Sequence, residues 1–171
     1  MELRGTNFVL REWRKDDVTS LQKHANNVNI NSFLLDRFPN PYTSKAARRW
    51  VALMLQQKPQ VNFAIDVRGF VVGVIGLDMR EDVYRKSPLL GYWVGEAFWG
   101  RGIMTEAVKL IVDYGFKNLD IVRIQAGVLS NNPASMRVLE KAGFIKEGIL
   151  RNGIVKNELI LDEHIYGILK T

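Results

Sequence analysis

Gly100 and Gly102 stand one residue apart in FWGRGIMTEA, residues 98–107, directly ahead of a helical pattern. A helix N-terminus carries unsatisfied N–H groups and a partial positive charge. Glycines let the main chain approach a ligand with no Cβ in the way. Together these features make a cradle for an anion, above all a phosphate. A dinucleotide loop, G-x-G-x-x-G, is excluded because residue 105 is Thr. A Walker A loop is excluded because no Gly-Lys-Ser/Thr follows. A tight turn whose glycines serve geometry alone stays open.

Two further groups could carry chemistry. In NNPAS, residues 131–135, Pro133 suits the first helical position and Asn132 the N-cap, which puts Ser135 at N3. On residues alone, Asn132 caps a helix and Ser135 is an ordinary first-turn residue. Asp78 and Glu81 end an apolar strand pattern. They are candidates for a general base and equally for solvent-facing charges.

Composition narrows the classes. The 171 residues suffice for one compact domain with a sizeable core. The absence of cysteine removes disulfides, thiolate nucleophiles and Cys-ligated zinc together. His24 and His164 are the only histidines, too few for a His-rich metal site, so no metal is expected. No run approaches the roughly 18 apolar residues of a membrane span. The charged N-terminus lacks an export signal core, so a cytoplasmic location is expected. The 24 basic residues outnumber the 18 acidic by six. They are scattered, which argues against a nucleic-acid face.

The elements that must position these residues follow from periodicity. Asn7–Arg14 alternates as a strand, and residues 15–27 read as a short helix. Two prolines break the chain at 38–45. Ser44 reads as the N-cap of a second helix to about Gln57, with Ala47, Val51, Leu53 and Leu55 apolar. A hairpin closed by Arg68-Gly69 and a strand LLGYWVG, residues 89–95, come next. Residues 103–118 form an amphipathic helix, with Ile103, Ala107, Leu110, Ile111 and Tyr114 on one face. A strand over 122–129, a capped helix ended by Gly143, and strands over Lys146–Arg151 and Glu158–Leu169 finish the chain. No repeat or linker divides it, so one domain over 1–171 is expected. The order implies an α/β fold, a mixed sheet with helices on its faces.

Four ordered segments resemble the GNAT N-acetyltransferases, in particular their RimJ/RimL-like group. They are LRGTNFVLREWRKDD, LLGYWVGEAFWGRGIMTEA, NNPASMRVLEKAGFIKEG and RNGIVKNELILDEHIYGIL, which together cover nearly the whole chain. The resemblance implies a mostly antiparallel central sheet flanked by helices. The family's loop, Gln/Arg-x-x-Gly-x-Gly/Ala, binds the pyrophosphate of acetyl-CoA through backbone amides. It falls on Trp99, Gly100, Arg101, Gly102, Ile103 and Met104, and runs into the helix at Thr105. Trp99 replaces the first Gln/Arg, and Met104 replaces the final small residue.

The resemblance also assigns roles. Acetyl transfer to an amine requires that the thioester oxygen be polarised, the amine lose a proton and the leaving thiolate be protonated or stabilised. The resemblance implies that Val94 offers a backbone N–H to the thioester oxygen. It implies that Asn132 meets the pantetheine arm and that Ser135 donates to the thiolate, with Tyr114 and Tyr166 as weaker donor candidates. Acetyl-CoA is then the co-substrate. The acceptor is a protein N-terminal amine or a small amine, such as an antibiotic or polyamine. A non-catalytic acyl-CoA-binding module is the alternative class, and a homodimer remains open.

Overall fold

The computed structural model describes residues 1–171. Its eight strands are β1 (Glu2–Arg4), β2 (Val9–Arg11), β3 (Asn62–Val67), β4 (Phe70–Asp78), β5 (Leu89–Val94), β6 (Arg123–Leu129), β7 (Ile145–Lys156) and β8 (Leu159–Leu169). They form one sheet in the order β1-β2-β3-β4-β5-β6-β8-β7. Every neighbouring pair is antiparallel except β5 and β6, which run parallel. The mixed, mostly antiparallel sheet expected from the sequence is therefore observed.

Five helices complete the chain: α1 (Val18–Ala25), α2 (Val28–Asn31), α3 (Ser44–Met54), α4 (Ile103–Asn118) and α5 (Pro133–Lys141). On one face of the sheet, Ile103, Ala107 and Ile111 of α4 and Leu139 of α5 pack on Leu90, Val94, Ile124, Ala126 and Tyr166. On the other face, Leu21 of α1 and Ala47, Val51 and Met54 of α3 cover Ala64, Val71 and Val74. The two faces are thus the α4–α5 face and the α1–α3 face. No helix is long and apolar enough to cross a membrane.

Several local expectations change. The helix expected over residues 15–27 is a 3-10 turn (Lys15–Asp17) followed by α1, which ends at Ala25; beyond it the Asn27 side chain accepts from the N–H groups of Asn29 and Ile30 and starts a separate helix, α2. Thr43, not Ser44, caps α3, accepting from the Ala46 N–H at 3.2 Å. The buried stripe of α3 is Ala47, Val51 and Met54, while Leu53 and Leu55 are exposed. That stripe keeps the helical period, from which Leu53 and Leu55 fall away. Strand β7 runs on to Lys156 through two register shifts.

A buried ion cluster anchors the α1–α3 face. Arg11 is 3% exposed and donates to Asp17 at 2.7 and 2.9 Å and to Asp66 at 2.6 Å. It ties β2, β3 and the turn into α1 together.

Candidate active site

The glycine loop adopts the backbone that its residue types allow. Gly100 and Gly102 have φ of +72° and +75°, the left-handed region. Gly102 is the N-cap of α4, and no side chain caps that helix. The N–H groups of residues 100 through 105 meet no acceptor within the protein. The space before both glycine α-carbons is open to 4 Å. Six donors around one helix start, with nothing in front of them, fit a diphosphate group. Ile103 and Met104 contribute only main chain, since both side chains are buried in the core. The approach to the loop is braced by Asn27 and Asn29, which donate to Glu96 at 2.6 and 3.0 Å. The Arg101 guanidinium stacks over Phe98, 5.2 Å from the ring centre.

Beside the loop, two strands part. Strands β5 and β6 share a single paired position, Leu89 with Gln125. The Gly95 N–H donates to the Val72 carbonyl at 2.7 Å, which fixes the parity of the β4–β5 ladder. By that parity the N–H and C=O groups of Tyr92 and Val94 turn away from β4, toward the gap before β6. The Val94 carbonyl accepts from the Trp99 indole at 2.9 Å, so Trp99 straps the loop to the strand end. That leaves the Val94 N–H facing the gap.

Across the gap stands α5. Asn132 caps it, its side chain accepting from the Ser135 N–H at 3.2 Å. The Ser135 hydroxyl lies 2.7 Å from the hydroxyl of Tyr92 on β5. Burial pushes the Tyr92 phenol up to about 12. Tyr92 therefore keeps its proton at neutral pH and can donate to Ser135, whose own O–H is then free to face the gap.

The acetyltransferase (GNAT) domain model matches residues 7–145. The chain belongs to the GNAT family of N-acetyltransferases. The uncharacterized N-acetyltransferase p20 of Bacillus licheniformis is 29% identical over 99% of this chain and 90% of its own. The probable N-acetyltransferase YjcK of Bacillus subtilis (strain 168) is 56% identical over a shorter stretch, 36% of this chain and 34% of YjcK. Among solved structures, RimL, a ribosomal L7/L12 alpha-N-protein acetyltransferase in complex with coenzyme A, superposes with a TM-score of 0.87. It shares 22% identity, and the match covers 99% of this chain and 98% of RimL.

Within this GNAT chain, the loop residues 99–105, Val94, Asn132 and Ser135 converge around the β5–β6 gap. The two proposed carboxylates do not join them. Asp78 pairs with Leu89, at the opposite end of the β4–β5 ladder from Val94. At roughly 3.3 Å per residue the two ends lie about 16 Å apart. Asp78 also carries an exposed ion pair with Arg37 at 3.5 Å. Glu81 lies further on, exposed at a 3-10 turn. The hydroxyls of Tyr114 and Tyr166 are engaged by the Gln60 carbonyl at 2.8 Å and by Glu140 at 3.3 Å. Sequence reasoning missed Tyr92. The signal was available in LLGYWVG, where Tyr92 shares the facing parity of Val94.

Proposed function

We propose that the chain transfers the acetyl group of acetyl-CoA to the α-amine of a protein N-terminus, such as that of a ribosomal protein. Transfer is by direct attack within a ternary complex. The observation that carries this reading is the row of six unpaired amide donors ending beside a gap that Val94 and the Tyr92–Ser135 pair both face. The amides of residues 100–105 hold the diphosphate of acetyl-CoA. Asn132 meets the pantetheine arm. The Val94 N–H meets the thioester oxygen and strengthens its bond as charge gathers there. Ser135, backed by Tyr92, gives a proton to the departing sulfur. A thiol with an ordinary pKa near 8.5 needs only a mild donor.

The acceptor class is supported by the likeness to RimL, described as an alpha-N-protein acetyltransferase. An α-amine titrates near 7.7–8.0, against roughly 10.4 for a lysine side chain, so it is the easier nucleophile at neutral pH. The test is thiol release from acetyl-CoA with four acceptors: peptides with a free N-terminus, the same peptides N-blocked but containing lysine, polyamines and aminoglycosides. Turnover confined to free N-termini supports the proposal. Turnover confined to the small amines replaces the acceptor. Tight acetyl-CoA binding with no turnover on any amine leaves a binding module instead.

A further inference from the structure

On the acetyltransferase reading above, we infer that Glu163 of β8 is the general base that takes the proton from the attacking amine. Beyond the cover of α1 and α3, the α1–α3 face of the sheet is exposed where β5 and β6 carry glycine, and forms a trough there. Its floor is Gly91 and Gly127, both exposed, so neither floor residue raises a side chain of its own. Trp93 walls one side and stacks edge-on against Phe38 at 5.7 Å. Glu163 lies on the other side, paired with Leu129 of β6.

Register brings Glu163 to the gap. Counting on from Leu89 and Gln125, Gly91 comes level with Gly127, and Trp93 with Leu129. Glu163 is opposite Leu129, so its backbone stands one residue short of the level of Val94. Its carboxylate leans back over β6 and fills the space that a Cβ at Gly127 would need. The berth exists because residue 127 is Gly.

The charges around it are already spent. Besides Asp17 and Asp66, which Arg11 holds, three other carboxylates reach this face, and each has a cation. Asp36 of the α2–α3 loop holds the buried Lys156 of β7 at 2.8 Å. Asp78 of β4 pairs with Arg37 at 3.5 Å. Glu147 of β7 pairs with Arg123 of β6. Glu163 is part-buried, and its carboxylate makes no hydrogen bond or ion pair. A part-buried, unpartnered carboxylate beside an open trough has an unused capacity to accept a proton.

The arrangement divides the two proton transfers between the faces of the sheet. At neutral pH the ammonium form of the acceptor gives one proton to Glu163 on the α1–α3 face, the freed lone pair forms the C–N bond, and the second nitrogen proton leaves to solvent as the amide forms. The C–S bond breaks, and the sulfur leaves with the electron pair and takes a proton from Ser135 on the α4–α5 face. Solvent returns Glu163 and Ser135 to their starting states.

The test compares Glu163→Gln with wild type on a free N-terminal peptide between about pH 6 and pH 10, a range spanning the acceptor's own titration. We expect kcat/KM for the peptide to fall about 100-fold near neutrality. The loss should shrink as pH rises past the amine's pKa near 8, where solvent has already removed the proton. Calorimetric acetyl-CoA affinity and Tm should stay at wild-type values. Gly127→Ala keeps the carboxylate but evicts it from its berth, and should show the same pH-dependent loss. Wild-type kcat/KM at every pH in Glu163→Gln would overturn the inference. So would a pH-independent loss accompanied by a lower Tm. Wild type that binds acetyl-CoA but acetylates no amine would overturn the acetyltransferase reading, and this inference with it.

Discussion

The hydroxyl of Tyr92 on β5 lies 2.7 Å from the hydroxyl of Ser135 in the first turn of α5. One residue comes from a strand and the other from a helix, across the gap where β5 and β6 part. Removing either hydroxyl should therefore impair the same step. We expect Ser135→Ala and Tyr92→Phe each to lower kcat by about 10–100-fold. The double variant should be little worse than the poorer single, because groups acting as one unit are not additive. Acetyl-CoA Kd and Tm should barely move in Ser135→Ala, since Asn132, not Ser135, is the cap. A fully additive double variant would separate the two residues.

The same pair makes a statement about pH. Burial raises the Tyr92 phenol to about 12, so it stays protonated throughout the range in which the enzyme is assayed. The wild-type rate profile should show no alkaline fall attributable to Tyr92 below about pH 10, the ordinary phenol value. A fall near pH 9 that disappears in Tyr92→Phe would contradict the burial argument.

The glycine loop predicts a binding loss. Gly102→Val places a β-branched side chain at φ +75°, in the open space before the unpaired amides. Calorimetry should show acetyl-CoA binding lost, with circular dichroism still reporting a folded chain. Tm should drop modestly, since the left-handed conformation costs a non-glycine residue about 1–2 kcal/mol. Unchanged affinity would remove the loop from the cofactor site.

The buried cluster predicts a stability loss without a catalytic one. Arg11→Met leaves Asp17 and Asp66 buried with no counter-charge. Breaking a buried pair in this way costs about 3–5 kcal/mol. Urea unfolding should show the midpoint fall by a corresponding amount. A change under 1 kcal/mol would mean that water reaches the cluster.

What the sequence disclosed and what it withheld divide along contact distance. The cradle, the cap at Asn132 and the N3 place of Ser135 depend on neighbours within a few residues, and each is legible in its own segment. The face of α4 was legible because Ile103, Ala107, Ile111 and Tyr114 repeat at the helical period. Tyr92 was not, because its partner lies 43 residues away and the two meet only through the sheet. Glu163 was hidden for the same reason: its berth over Gly127 exists only once β8 pairs with β6. Asp78 and Glu81 read well as the end of a strand. It was the antiparallel turn-back of β4 into β5 that carried them to the far end from Val94. Thr43 and Ser44 are both capping residue types, and only the backbone decides between them.

Two-substrate initial rates test the central claim most directly. A free N-terminal peptide and acetyl-CoA are varied together, and peptide acetylation is followed by mass spectrometry. Direct attack across the β5–β6 gap needs both substrates bound at once, so reciprocal plots should intersect and the acetyl group should be found on the peptide α-amine. Parallel lines would mean an acetyl-enzyme intermediate, which the account excludes. Acetylation confined to lysine side chains would contradict the choice of acceptor.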